Sequence, residues 1–300
     1  MGTPDFAVPA LRILVENGHE VVGVVTATDK YGGRGNKQLI ESAVKKYAVA
    51  QNLPVLQPKN LKAPEFVEAL RALRADLQVV VAFRMLPEIV WDMPRIGTFN
   101  LHGSLLPKYR GAAPINWAVI NGETETGVTT FFIRHEIDTG DVLLQRKLLI
   151  GPDETAGDVH DRMMLLGAQT VLDTVDLIKS GNYTLHQQDD SQATKAPKIF
   201  FETCEIDFNQ SAFAVHNFVR GLSPYPAAWT TLDEQVLKLY RTKVDPSPAK
   251  EAPGTFVSDN RKFLKIATAD GYLEVLELQL QGRKRMRIQD FLNGYSFADF

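Results

Sequence analysis

The chain of 300 residues is 44% hydrophobic and 23% charged, enough for one large domain or two ordinary ones, with a formal net charge of −3. No run approaches roughly eighteen consecutive apolar residues and no basic-then-apolar leader opens the sequence, so neither a membrane span nor a secretory signal is expected. A lone cysteine, Cys204, excludes an internal disulfide and a cysteine metal cluster, which favours the cytoplasm, and the slight negative charge leaves any polyanionic partner to local basic patches.

The opening "MGTPDFAVPALRILVENGHEVVGVVT" places turn residues first, then a helical pattern (Val8, Leu11, Leu14, Val15), then an apolar strand, Val21 to Thr26. A turn–helix–strand start reads as if one strand were missing ahead of it. A Gly-rich basic loop follows, then helical patterns from about Lys37 to Gln51 and from Pro64 to Arg74. "DLQVVVAF" is a β-branched run of the kind covered on both faces in parallel sheets, and "TFNLH" reads as the next strand. "GAAPINWAVINGE" has Pro114 in the first turn of a helix and Gly122 past its end. "TGVTTFFIR" and "DVLLQRKLLI" read as strands, and Thr155 with Asp158 forms a capping-box pattern opening a helix to about Ser180.

This βα alternation predicts an open, doubly wound, mostly parallel (Rossmann-like) α/β sheet domain over residues 1–187. Polar, aperiodic text makes 188–205 a linker. Beyond it, a helix ending at Gly221 and short strand-like pieces ("AAWTTL", "QVLKLYRTKV", "GTFVSD", "FLKIAT", "LEVLELQL") predict a small OB-like β-barrel over 206–300.

Ligands of open parallel sheets bind at the carboxyl ends of strands. Asn100 and His102 fall at such an end and, two apart in a strand, share a face. Asp138 lies in a Gly-containing turn, "HEIDTGD", from which it can return to the same crevice. A carboxamide can donate to an oxyanion, an imidazole exchanges a proton near neutral pH, and a carboxylate can orient that imidazole. The three suit transfer of an acyl group to an amine without a nucleophilic Ser or Cys. Taken singly, each also fits a plain role: a turn cap, a surface His, a turn Asp. No metal site is expected.

"NLHGSLLPKYRGAAPINW", followed by "NGETETGVTTFFI" and "IDTGDVLLQ", resembles the folate-dependent formyltransferase superfamily: Asn-x-His, then Ser-Leu-Leu-Pro, then a distant Asp-x-Gly, in order. The resemblance implies that Asn100, His102 and Asp138 are catalytic. It further implies that 10-formyltetrahydrofolate is the formyl donor, and that Ser104, Leu105, Leu106 and Pro107 line the folate site. Two departures stand out: the absent first strand, and "AFRMLPE", one residue shorter than the usual text, with Arg84 where glycine is usual.

Within the superfamily the text is most similar to members that formylate methionyl initiator tRNA, through "GTPDFAVPAL", "GGRGNKQL", "RGAAPI", "LSPYPAAW" and "DGYLEVLELQLQGRKRMRIQDFLNG". The resemblance implies that a loop containing Lys30, Arg34 and Lys37 inserts into tRNA. From Thr28 to Lys46 five Lys/Arg face two acids, and from Lys238 to Arg287 eleven face six, densest at Arg283, Lys284 and Arg285; both stretches also fit plain solvated faces. A small basic barrel is a common nucleic-acid platform. The expectation is a monomer acting on tRNA and a soluble folate. A formyltransferase for an amino-sugar nucleotide ranks second, a purine-pathway formyltransferase third, and a non-catalytic RNA-binding protein on the same fold is the rival of a different class.

Overall fold

The computed structural model describes residues 1–32, 35 and 38–297. In chain order the elements are α1 (Val8–Glu16), β1 (Val24–Val25), β2 (Lys30–Gly32), β3 (Gln38–Ile40), α2 (Ala43–Ala50), β4 (Val55–Leu56), α3 (Pro64–Ala72), β5 (Leu77–Val81), α4 (Glu88–Trp91) and β6 (Gly97–His102). Then come β7 (Arg110–Gly111), α5 (Pro114–Ile120), β8 (Glu125–Phe132), β9 (Val142–Leu149), α6 (Ala156–Ser180) and β10 (Lys195–Ala196). The remainder is α7 (Ala212–Leu222), β11 (Ala228–Leu232), β12 (Gln235–Asp245), β13 (Phe256–Ser258), β14 (Leu264–Ala267), β15 (Tyr272–Leu280), β16 (Met286–Arg287) and α8 (Ile288–Leu292).

The chain forms two compact units, and they are not consecutive stretches: one comprises 1–111, 127–148 and 160–195, the other 112–126, 149–159 and 196–300. In the first unit, β1 pairs with β4 in parallel, and a four-stranded sheet runs β5-β6-β8-β9, with β5 and β6 parallel and β6 and β8 antiparallel. Met1 and Gly2 lie between the two pieces: Gly2 N–H donates to Val25 O, Val81 N–H donates to Met1 O, and Gly2 bridges Val81 in parallel. This is the Rossmann-like, mostly parallel arrangement that the βα alternation predicts. Its core gathers Val25, Leu61, Phe66, Leu70, Val80, Leu86 and Val90.

In this unit α2 begins at Ala43 and not near Lys37. Ser42 caps it, its hydroxyl accepting from Lys45 N–H at 3.1 Å, and Gln38–Ile40 pairs antiparallel with Lys30–Gly32 instead. The expected helix loses its first turn because a good N-cap residue sits inside the stretch and ends it there. The stretch 188–195 is also tied into the unit rather than free, through Gln188 and Thr194 as described below.

The second unit holds an antiparallel sheet in the order β11-β12-β15-β14-β13, with β16 also on β15. Alternate residues of its strands (Leu237 and Leu239; Leu264 and Ile266; Leu273 and Val275, then Leu278 and Leu280 beyond an irregularity in the β12–β15 register) enter one core, which α7 covers with Val215, Val219 and Leu222. This curled antiparallel sheet is what the closely spaced short strands predict. Truncating any of these leucines to alanine should cost about 2–5 kcal/mol. α5 packs against α7 here: Asn116 Nδ2 donates to Gly221 O at 2.8 Å, and a Cβ at Gly221 would sit 2.7 Å from Ile120 N.

Candidate active site

β6 alternates as its sequence dictates. Phe99 and Leu101 are buried, and Leu101 lies so close to α6 that a Cβ on Gly167 would stand 2.8 Å from its Cδ2. Asn100 and His102 therefore occupy the opposite face, Asn100 opposite Phe131 and His102 opposite Thr129 of β8. The Asn100 carboxamide is half-buried and has no hydrogen-bond partner among the described residues.

The chain then turns sharply through Gly103 to Tyr109, and one buried hydroxyl fixes the turn. Thr129 Oγ1 donates to Ser104 O at 2.7 Å and accepts from Leu106 N–H at 3.0 Å and Gln145 Nε2 at 2.9 Å. Its one donor and two acceptor sites are all used. Gln145 Nε2 also donates to Leu106 O at 2.8 Å, and Ser104 Oγ donates to Lys108 O at 2.6 Å. The Ser104 and Leu106 side chains are buried, and Leu105 and Pro107 are partly exposed.

This turn delivers the Tyr109 carbonyl, 2.8 Å from His102 Nε2. A carbonyl only accepts, so Nε2 carries the hydrogen and Nδ1 is the free nitrogen of the neutral ring. Nδ1 faces Asp138 Oδ2 at 3.7 Å, with both side chains largely buried. That distance is longer than a hydrogen bond. A proton on Nδ1 would turn the contact into an ion pair, so the two groups together form a seat for one proton.

Asp138 has a left-handed backbone, φ 56°, which Asp tolerates better than most residues. Its Oδ2 accepts from Gly111 N–H at 2.9 Å. Gln188 Nε2 donates to Asp138 O and to Gly140 O, both at 2.8 Å. Gln188 Oε1 accepts from Arg110 Nε at 3.1 Å and Nη2 at 2.7 Å, and Arg110 Nη2 also reaches Asp190 at 2.6 Å. Gly140 cannot be replaced cheaply, since a Cβ there would lie 1.6 Å from Phe132 O. Thr194 completes the frame by accepting from Tyr109 N–H at 2.8 Å.

The structure thus brings His102 and Asp138 together with Asn100 on the same strand face. Sequence reasoning missed the frame: Arg110, Thr129, Gln145, Gln188 and Thr194. Two threonines inside the apolar run "GVTTFF" were a visible signal; Gln188 had none. Arg84, the departure from the family text, turns outward, donating from Nη1 to Lys59 O at 2.9 Å and from Nη2 to Pro58 O.

Of the expected tRNA contacts, Lys30, Arg283 and Lys284 are exposed. Arg285 pairs with Glu277 and lies 4.4 Å over the Tyr240 ring. Arg34 and Lys37 lie outside the described residues. Among the described residues no group of three or more His, Cys, Asp or Glu could hold a metal ion, and no helix is long and apolar enough to cross a membrane.

Such a constellation on an α/β sheet edge, followed by an antiparallel sheet unit, defines a group-transfer enzyme, and the chain belongs to the formyl transferase family. The family's "Formyl transferase" domain matches residues 1–175 and its "Formyl transferase, C-terminal domain" matches residues 198–296. The chain is 55% identical over 305 residues to the methionyl-tRNA formyltransferase of Parabacteroides distasonis, covering 98% of this chain and 94% of the relative. It is 52% identical over 304 residues to that of Flavobacterium johnsoniae, covering 100% and 96%. Among solved structures it resembles WlaRD, a sugar 3N-formyl transferase, with TM-score 0.68 at 20% identity, covering 94% of this chain and 97% of that one. That likeness is one of fold.

Proposed function

We propose that this chain transfers a formyl group from 10-formyltetrahydrofolate to the α-amino group of methionyl initiator tRNA. The observation that carries the chemistry is the locked imidazole: Nε2–H held by Tyr109 O, with Nδ1 and the Asp138 carboxylate sharing a seat for one proton. The full-length likeness to methionyl-tRNA formyltransferases at 52–55% identity supports the acceptor.

The neutral amine attacks the formyl carbon. The carbonyl oxygen gathers negative charge, which the Asn100 amide N–H stabilises, helped by Nδ1–H when His102 is protonated. Asp138 receives the amine proton. Collapse breaks the bond from the formyl carbon to the folate nitrogen, which takes up a proton as it leaves. No covalent enzyme intermediate is needed, and holding both substrates in one crevice supplies much of the acceleration.

The turn from Ser104 to Pro107 would receive the folate. There Leu105 and Pro107 offer contact surface, while the buried Ser104 and Leu106 set the turn's shape. Lys30, Arg34 and Lys37 on one unit, and Arg283, Lys284 and Arg285 on the other, would contact tRNA phosphates. The enzyme is proposed to act as a cytoplasmic monomer without a metal.

The test is a formyl-transfer assay offering charged initiator tRNA, an amino-sugar nucleotide, or no acceptor. Formylated methionyl-tRNA alone is expected; product with the sugar nucleotide instead overturns the reading.

A further inference from the structure

The second unit carries a patch of exposed aromatic side chains beside lysines. Between Ala196 and Ile206 the chain makes a tight 3-10 turn, Phe201–Cys204. Thr203 Oγ1 donates to Phe200 O at 2.9 Å and accepts from Phe200 N–H at 3.2 Å. The buried Cys204 thiol donates to Phe200 O at 3.1 Å, and the Trp229 indole N–H donates to Phe201 O at 2.9 Å. Cys204 and Ile206 enter the core and Ile199 packs against it. The two phenylalanines between them remain outside, 53% and 46% exposed, on a backbone that is pinned at four points.

Their rings are organised. Phe201 stacks on Trp229 with centroids 5.0 Å apart and planes 5° from parallel. The Lys198 ammonium stands 5.2 Å from the Phe200 centroid, and that of Lys238 stands 5.9 Å from Phe201. Lys238 Nζ also donates to Pro226 O at 3.4 Å.

We propose that this patch binds unstacked nucleobases of a single-stranded RNA end. The proposal rests on the tRNA reading above and names a contact for it. Phe201 is already one plane of a stack with Trp229, and a base that meets its exposed side extends that stack, the Lys238 ammonium over the ring passing to the phosphate of the base. Ammonium groups beside ring faces meet the phosphates that flank a stacked base, the pairing by which single-stranded nucleic acid is held without sequence readout. A partner with only apolar side chains would leave Lys198 and Lys238 desolvated and unpaired. Glu202 and Glu205 are exposed acids on the same stretch, and they oppose a phosphate backbone.

The test uses the full chain and two probes, a single-stranded RNA tetranucleotide and a blunt RNA hairpin, followed by tryptophan fluorescence, with formyl transfer to methionyl-tRNA measured alongside. The tetranucleotide should quench the wild type and bind at least tenfold more weakly to Phe200→Ala/Phe201→Ala. Hairpin binding should not change. Phe201→Tyr should restore binding and Phe201→Leu should not, while Glu202→Gln should tighten it. Far-UV circular dichroism and melting temperature identify a variant that has lost its fold, for which Phe201→Leu against Phe201→Tyr is the deciding pair.

Wild-type-like tetranucleotide binding by the double alanine variant overturns the proposal, as does rescue by leucine or a wild type that ignores the tetranucleotide. If the wild type formylates methionyl-tRNA while Phe200→Ala/Phe201→Ala and Phe201→Leu keep its KM, the patch is wrong and the function stands. If it formylates no tRNA yet binds the tetranucleotide through these rings, the function falls and the patch stands.

Discussion

The role proposed for Asp138 needs a carboxylate facing the free nitrogen of a ring whose other nitrogen is occupied. Asparagine would still accept from Gly111 N–H, so Asp138→Asn keeps the loop's geometry and removes only the proton seat facing His102. Turnover should fall about 10²–10⁴-fold, the range for losing general acid–base help, with little change in either KM. Asn100→Ala removes the proposed oxyanion donor, a side chain with no structural partner among the described residues. It should lower kcat about 10²–10³-fold at unchanged melting temperature. Steady-state kinetics with each substrate varied in turn checks both; an Asp138→Asn enzyme with near-normal kcat refutes the assignment. The placement of all three residues was legible in the sequence: Asn100 and His102 share a face because they lie two apart in a strand, and Asp138 lies two residues before a glycine in a turn. The 3.7 Å gap to Asp138 was not legible, because the Tyr109 carbonyl that fixes the ring arrives through a turn closed by tertiary contacts.

At the scale of elements, local signals were read well and remote ones were not. The α5 and α6 starts follow from Pro114 and from the Thr155–Asp158 box, in which each residue's backbone N–H meets the other's side chain. Capping chemistry is contained within three or four residues and needs no tertiary structure. The β2–β3 hairpin escaped because strands of three residues carry almost no period. Gln188 escaped because its partners lie 50 and 48 positions earlier in the chain. Gln188→Leu should release the Asp138–Gly140 turn and leave Arg110 with Asp190 alone. It removes four side-chain hydrogen bonds, each worth about 0.5–1.5 kcal/mol of stability. If misplacement of Asp138 costs the transition state about 1–3 kcal/mol, kcat should drop roughly five- to 150-fold while KM for tRNA holds, and the pH profile of kcat should move with it. A purely structural residue would change the melting temperature and leave that profile in place.

His216 offers a second test at this scale, in the other unit. It joins α7 to β12 through Thr242 Oγ1 at 2.9 Å, and its Nε2 lies 3.5 Å from Asp153. Burial lowers its pKa below the ordinary 6.5, with the Pro152 backbone opposing and Arg220 adding to the depression. The unfolded chain therefore takes up a proton as pH falls through about 6.5 while the folded chain resists until a lower pH. In that window the unfolded state binds more protons, so stability is lost on acidification and is complete above it. His216→Gln cannot titrate. Its melting temperature should lie below the wild type at pH 7.5, and the difference should narrow by pH 5.5; a constant difference would mean that His216 does not carry this acid sensitivity.

For the molecule as a whole, charge distribution decides more than charge sum. The formal net charge of −3 would repel a polyanion, yet within the two basic stretches four of the acids are engaged by cations of their own stretch. In the first basic stretch Asp29 and Glu41 both close on Lys45, which leaves Lys30 exposed. In the second unit Asp245 is engaged with Lys265, whose hydrogen bond holds its pKa far below the usual carboxylate range, and Glu277 is engaged with Arg285. Arg283 and Lys284 remain exposed. If four cations across the two units meet phosphates, the logarithm of tRNA affinity should fall with the logarithm of salt at a slope of about −0.9 for each contact. A rise from 50 to 200 mM salt would then raise KM for methionyl-tRNA about 10²-fold, while KM for the folate, a small ligand without a phosphate backbone, should change far less. Lys284→Gln should reduce the slope by about one contact without altering kcat at saturating tRNA. A flat salt profile for tRNA would mean that neither basic stretch meets the phosphate backbone, however well the active site performs.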